Sequence, residues 1–348
     1  MSTTDRVLVL GATGHTGRFV VAELLARGLE PILAGRNPER LSGLGAGDGL
    51  ERRVLALDEP DRLRHGLEGA AAVVSCAGPF IDTGPPLARA AVSVGAHYLD
   101  VTAEQAAVQA LYDELDGPAR DAGVTVVPAM AFYGGLADLV VTSLVGADGT
   151  ADEVEVAIGL DHWWPTAGTR ATGARNTATR LVIRDGALAP LADPAPTGTW
   201  SYPAPLGAQD VVQLPFSEAV TIARHLDVGA LASYLNTAPL DDLHDAATPA
   251  PTAVDAAGRS AQRFVVDVVV RRGGSARRAS LTGRDIYAVT APILAEGVTR
   301  LLDGRHHGPG ALAPGQAFDA ADVLASLERR VSDLDVRWSD PLPSRRGD

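Results

Sequence analysis

Residues 7–17 read Val-Leu-Val-Leu-Gly-Ala-Thr-Gly-His-Thr-Gly, and no other stretch restricts the fold so tightly. Val7 to Leu10 form a short unbroken apolar run, which predicts a strand buried on both faces of a parallel sheet. Apolar residues at Phe19, Val20, Leu24 and Leu25 then recur at helical spacing, and Gly28 supplies a stop. Gly11-Ala12-Thr13-Gly14-His15-Thr16-Gly17 forms the turn between them. Glycines there let the backbone approach a pyrophosphate closely, and the start of the helix presents free N–H groups and a positive dipole end. A glycine triplet alone is often only a turn. Here the flanking strand and helix make dinucleotide binding the expectation.

The alternation continues. Strands are expected at Ile32–Ala34, Arg53–Leu57, Ala71–Ser75, His97–Asp100 and Val124–Val127, with helices between them and a capping box of Thr102 with Gln105. This predicts an α/β fold, a Rossmann doubly wound parallel sheet with its ligand at the carboxyl ends of the strands. Arg36, in Leu-Ala-Gly-Arg-Asn, stands just past the second strand. An acid there would accept from the 2′-hydroxyl of NAD, whereas an arginine pairs with a 2′-phosphate, so NADP(H) is the expected cofactor. Further on, Cys76-Ala77-Gly78-Pro79-Phe80 follows a strand end at the level of the nicotinamide. Cys76 reads as a small buried residue at a tight contact, not as a nucleophile.

Composition narrows the function classes. The chain has 348 residues, a length that favours two domains, and 46% hydrophobic with 21% charged residues describes a globular protein. Net charge is −13 and no long basic run occurs, which argues against nucleic acid as a partner. All 30 basic residues are arginine. Without lysine there is no Walker-type phosphate loop, no lysine Schiff base and no Tyr-x-x-x-Lys pair. One cysteine excludes an intramolecular disulfide and a cysteine zinc cluster, and His306-His307 without spaced partners gives no metal site. No signal peptide or membrane span is expected, so the expected location is cytoplasmic.

Past about residue 146 the pattern changes. Val154, Val156, Ile158 and Leu160 alternate as in a half-exposed strand, and 264–282 read as a hairpin turning at Gly273-Gly274. A helix is expected over 285–302, with Pro292 near its first turn, and 185–205 reads as a Pro/Ala-rich loop or lid. The expected division is a dinucleotide-binding domain at 1–132, and an α+β domain with a mixed, largely antiparallel sheet at 133–303. A segment at 304–338 returns toward the first domain, and 339–348 form a flexible tail. In 161–180, Trp163 and Trp164 either shield a nicotinamide or fill the domain interface. Arg170, Arg175 and Arg180 either clamp a substrate carboxylate or are solvated.

Taken together, GATGHTGR, LAGRNPERL, CAGPF, GAHYLDVTAE and GVTVVPA resemble, in order and spacing, the saccharopine dehydrogenase-like oxidoreductases. IYAVTAP at 286–292 and GALAPGQAFD at 310–319 are similar too. The resemblance implies that Gly11, Thr13, Gly14, Thr16 and Gly17 hold the pyrophosphate, Arg36 and Asn37 meet the 2′-phosphate, and Asp58 meets the adenine. It implies that Cys76 to Phe80 border the nicotinamide, and that the second domain is a homodimer surface. Many relatives continue from the sixth strand with Cys-Gly-Phe-Asp, where this chain has Met130-Ala-Phe-Tyr-Gly-Gly135, so the substrate does not carry over.

The expected activity is hydride transfer from NADPH to a C=N, C=C or C=O bond of a small metabolite. Tyr133 and Asp100 are the candidate donors, the first set against a core tyrosine and the second against a helix cap. The alternatives are a non-catalytic NADP sensor of the NmrA type, whose loop also reads Gly-Ala-Thr-Gly-x-x-Gly, and an atypical short-chain reductase.

Overall fold

A computed structural model describes residues 6–44 and 49–342. The first half builds β1 (Arg6–Leu10), β2 (Glu30–Gly35), β3 (Arg52–Val54), β4 (Ala72–Ser75), β5 (His97–Asp100) and β6 (Thr125–Val127). They pair in parallel in the order β6-β5-β4-β1-β2-β3. Val7, Leu8 and Val9 are fully buried, as an apolar run covered by helices on both faces requires. Each such side chain stabilises the fold by about 1.5–3 kcal/mol. β3 is shorter than its apolar run suggests: it ends at Val54, although the Leu55 N–H still donates to the Gly35 carbonyl (3.0 Å).

The second half builds β7 (Thr150–Leu160), β8 (Leu181–Arg184), β9 (Ala187–Pro190), β10 (Thr197–Ser201), β11 (Ala208–Gln213), β12 (Asp227–Asn236), β13 (Arg263–Arg272) and β14 (Ser275–Arg284). After them, β15 (Gly310–Ala311) pairs with β6 and extends the first sheet to seven strands, and β16 (Asp335–Leu342) pairs with β14. The second sheet runs β10-β11-β12-β7-β13-β14-β16, with β8 and β9 off that path. It is antiparallel except for β12 beside β7.

Several expectations change. The segment 185–205 is not a lid, since it supplies β9 and β10, with Pro190 at a strand end and the other prolines between strands. Ser339 is paired within β16, so the expected tail is strand as far as Leu342; residues 343–348 lie outside the described residues. Pro292 lies in the second turn of the helix Ile286–Leu302, not the first. The hairpin forms as expected, but its apolar face is not an exposed surface. Phe264, Val266, Val268 and Val270 are buried in one core with the helices Ala137–Val145 and Ile286–Leu302, so the basis for a homodimer through that face is gone.

The capping box also fails. The helix Gln105–Ala122 starts at Gln105, preceded by Glu104 as an N-cap without a side-chain bond. Asp100 Oδ1 accepts from the Thr102 N–H (3.0 Å), the Thr102 hydroxyl accepts from the Glu104 N–H (3.0 Å), and the Gln105 side chain reaches across to the second sheet.

Buried charge joins the first helix to the helix Ile286–Leu302. Arg27, in the segment after the first helix, donates to Glu296 (2.7 Å) and to the Pro292 carbonyl (3.3 Å), and Arg300 donates to Glu296 (2.9 Å). All three charged side chains are only 3% exposed. Among the described residues no helix is long and apolar enough to cross a membrane.

Candidate functional site

The site starts at the glycine turn. Gly11 has φ +85°, and a Cβ on it would lie 2.9 Å from the Cys76 carbonyl carbon, so only glycine lets β1 and β4 end this close together. A Cβ on Gly17 would fall 2.1 Å from the Gly11 oxygen, which fixes how the helix His15–Ala26 meets the turn. Gly14 differs: a Cβ there would have only the Gly11 oxygen, at 3.1 Å, within 4 Å. Its other side is open to a cleft of about 2380 Å³ lined by Gly11, Thr13, Gly14, His15 and Thr16. No side chain caps this helix, and the first N–H to find a helical acceptor is that of Arg18. The N–H groups before it are therefore free for an anion. Ala12 and Gly17, also expected here, are buried behind the turn.

Arg36 and Asn37 lie exposed on the same cleft past β2, with Asp58 further along its rim. Arg36 has no carboxylate within ion-pair distance among the described residues. Asn37 Oδ1 accepts from the Arg40 N–H (2.8 Å) and so caps the short helix Pro38–Ser42, which brings Arg40 to the rim as well.

Cys76, Ala77, Gly78 and Phe80 line the cleft wall after β4. Burial, with Asp100 behind it, pushes the Cys76 thiol up to about 12, so it is a neutral contact and no nucleophile. Glu104, only 2% exposed, accepts from the N–H groups of Phe80 (2.7 Å) and Ile81 (3.2 Å) and pins this wall. Asp100 is fully buried and stands outside the cleft lining. It accepts from Thr102 N–H (3.0 Å), Ala129 N–H (2.8 Å) and Tyr98 O–H (3.0 Å), so it ties the ends of β5 and β6 together instead of meeting a substrate. Burial raises its carboxyl to about 6 in spite of these donors.

The opposite wall comes from the second half. Tyr133 is carried on a turn only glycines permit: Gly134 has φ +92°, and a Cβ on Gly135 would lie 2.6 Å from the Ala129 oxygen. Its ring centroid is 4.2 Å from that of Phe216 and 5.7 Å from that of Trp163. Its hydroxyl is buried without a hydrogen-bond partner, and burial, with Tyr287 and Glu218 nearby, holds its pKa well above that of an ordinary phenol. Trp163 lines the cleft, and its Nε1 donates to the Tyr287 hydroxyl (3.2 Å). Tyr287 in turn meets the ring of His15, centroids 5.4 Å apart, closing the wall onto the glycine turn. Burial lowers the pKa of His15, and its Nε2 has no partner.

The remaining expected residues divide. Trp164 stacks on His162 and is not part of the cleft wall. Arg170 donates to the carbonyls of Leu243 (3.2 Å), Asp245 (3.0 Å) and Thr248 (3.1 Å), which makes it a brace. Arg175 pairs across the cleft mouth with Asp82 (3.0 and 3.1 Å), and both are largely exposed. His306 and His307 bond carbonyl oxygens, and no group of His, Cys, Asp or Glu suited to a metal occurs among the described residues. Sequence reasoning missed Glu104, Phe216, Tyr287 and the cross-sheet role of Gln105. Of these, Glu104 closes the quoted stretch GAHYLDVTAE, Tyr287 lies in IYAVTAP, and Gln105 was read only as half of a capping box; Phe216 lay in no stretch singled out earlier.

The parallel sheet, the open glycine cradle and the two-walled cleft define a dinucleotide-binding fold of the Rossmann class. Residues 7–127 match the family model of the saccharopine dehydrogenase NADP binding domain. The resemblance to the saccharopine dehydrogenase-like oxidoreductases is thus met over the first sheet, where residues 7–127 are similar to that family's NADP-binding domain.

Relatives are partial matches. The chain is 27% identical over 183 residues to a human saccharopine dehydrogenase-like oxidoreductase, covering 44% of this chain and 42% of that protein. It is 29% identical over 188 residues to a trans-acting enoyl reductase of Mycobacterium ulcerans, covering 49% and 45%. The chain thus spans less than half the length of these curated relatives. The fold of an apo saccharopine dehydrogenase (L-Glu forming) from Saccharomyces cerevisiae superposes over 97% of this chain and 100% of that one, with TM-score 0.68 and 13% identity. That likeness is one of fold.

Proposed function

We propose that the protein is an NADP(H)-dependent oxidoreductase that moves hydride between the cofactor and a C=N, C=C or C=O bond of a small molecule. The observation that carries this reading is the continuity of the cleft. It runs from the glycine turn, past Cys76 to Phe80, to a wall in which the Tyr133 hydroxyl is buried and unpartnered. A binding module with no chemistry to perform needs no such second wall, and this tells against the sensor alternative.

The residues fit the cofactor. Gly11, Thr13, Gly14, Thr16 and the free N–H groups of the first helix turn would hold the pyrophosphate, and Arg36, with Asn37 beside it, would meet the 2′-phosphate. Asp58 would meet the adenine, and Cys76 to Phe80 would border the nicotinamide. When bound, the reduced cofactor supplies the hydride. The chain supplies the rest. Trp163, Phe132 and Phe216 exclude water, and Tyr133 donates a hydrogen bond to the atom that gains negative charge. Its raised pKa keeps the phenol protonated at neutral pH, the form this role needs.

Self-association belongs to the sheet edges. β10 and β16 are terminal strands, and Trp338 on β16 is 49% exposed. The deciding experiment titrates the protein with NADPH and NADH, then follows NADPH oxidation with a panel of imines, enones and aldehydes. Tight NADPH binding with oxidation by one panel class supports the reading. Binding with no oxidation by any class overturns it in favour of a sensor.

A further inference from the structure

Arg180 is a cation in the cleft wall that makes no ion pair among the described residues. Its guanidinium lies over the Phe216 ring, 5.3 Å from the centroid, and Nη1 donates to the Pro215 carbonyl (2.7 Å). Among the described residues no carboxylate comes within ion-pair distance of it. Glu218, fully buried behind Phe216, acts on it only through space. Burial disfavours its charged form, as expected for a guanidinium that has given up water without gaining a counter-ion. The position is nonetheless firmly built. Gln105 takes both backbone groups of the next residue, accepting from Leu181 N–H (2.7 Å) and donating to Leu181 O (2.9 Å), and also donates to Phe216 O (2.8 Å).

The surroundings limit what can come to it. Arg180, Phe216, Tyr133 and Trp163 form a continuous ladder of a guanidinium and three rings along the wall. Leu214 and Leu240 widen the apolar surface. Among the described residues from 131 onward no aspartate or glutamate lines the cleft, and the described carboxylates in its lining lie between Glu51 and Glu104. Of these, Asp82 is paired with Arg175 and Glu104 with two N–H groups, and the others follow β2 at the Arg36 end. An ammonium group at the Tyr133 end would find no partner, and an unpaired buried charge is strongly disfavoured.

We propose that Arg180 is the anion anchor of the substrate end of the cleft, and that it receives the carboxylate of a compound with an apolar body and no amino group. The proposal rests on the oxidoreductase reading for assigning this end to the substrate, and it narrows the reducible bond to C=C or C=O. The planar fork of arginine matches a carboxylate in a bidentate pair.

The test is calorimetric titration of the NADP⁺-loaded protein with three eight-carbon probes: octanoate, octanamide and 2-aminooctanoate. Octanoate should bind at least tenfold more tightly than either of the others. Arg180→Met should lower octanoate to the level of octanamide, with octanamide and NADP⁺ binding unchanged, and Arg180→Gln, which keeps a donor for Pro215 O, should do the same. The anchor is overturned if octanoate binds both variants as it binds the parent, or fails to bind the parent at millimolar concentration. It is equally overturned if 2-aminooctanoate or the neutral thioester S-octanoyl-N-acetylcysteamine binds as tightly as octanoate, or if the variants lose NADP⁺ together with octanoate. Because these readouts are binding alone, they stand apart from turnover. Absence of NADPH oxidation across the panel would remove the oxidoreductase reading and leave an octanoate result intact.

Discussion

The Gln105 side chain holds both backbone groups of Leu181, Oε1 accepting from its N–H at 2.7 Å and Nε2 donating to its carbonyl at 2.9 Å. One amide from the first half of the chain thereby completes a strand end in the second. Gln105→Ala would leave buried backbone groups at Leu181 and Phe216 without partners. We expect a loss of roughly 2–4 kcal/mol in stability, measured as a lower urea midpoint, with wider exposure of the cleft to solvent. An unchanged midpoint would mean water replaces the amide at no cost.

Cofactor choice is expected to follow Arg36. Arg36→Asp should weaken NADPH binding by about 1.5–3 kcal/mol, the worth of a charge-assisted contact, and NADH binding much less. Fluorescence titration of both cofactors checks this. Equal affinity of the parent protein for NADPH and NADH would refute the assignment.

Gly14→Val should abolish dinucleotide binding while the thermal midpoint stays within a few degrees. The added side chain points into open cleft, where only the Gly11 oxygen is near, so the fold has little to lose. Normal NADPH binding by the variant would reduce the glycine turn to a structural feature.

Tyr133→Phe should lower turnover more than tenfold once a substrate is found, with NADPH affinity kept, because only the donor at the reacting atom is removed. Stability should hold or rise, since the hydroxyl is buried without a partner. Unchanged turnover would place the donor elsewhere.

Acid stability should depend on His97. Burial, with His306 beside it, lowers its pKa from 6.5 to about 4. The unfolded chain then binds a proton that the folded chain resists, so stability is full above pH 6.5 and falls as the pH drops toward 4, by about 3 kcal/mol over the whole window. Asp100 acts in the other direction, because a carboxyl raised to about 6 gains stability as it is protonated below that pH. Comparing urea midpoints of the parent and His97→Gln at pH 7 and pH 4.5 cancels the Asp100 contribution. A parent no more acid-sensitive than the variant would show that His97 is protonated without penalty in the fold.

The sequence by itself determined the parallel sheet, the glycine turn and the place of Arg36. These depend on local signals: an unbroken apolar run is strand, glycine is needed where Gly11 and Gly17 meet their neighbours, and Arg36 follows β2 by one residue. The hairpin was legible for the same reason, from alternation and the Gly273-Gly274 turn. Tertiary structure alone decided the far wall of the cleft. Thr102 and Gln105 have the spacing of a cap, but the Thr102 hydroxyl accepts from the Glu104 N–H instead, and Gln105 bonds Leu181, 76 residues away. Arg170 and Arg180 look alike in sequence; three carbonyls occupy the first, while the second is left a single backbone bond over Phe216. The valine face of the hairpin gave no sign of whether a helix or a second molecule would cover it, and packing settled it with the helices Ala137–Val145 and Ile286–Leu302. Period and turn chemistry act within a few residues, whereas the partner of a polar or apolar side chain is set by whatever distant segment the fold brings against it.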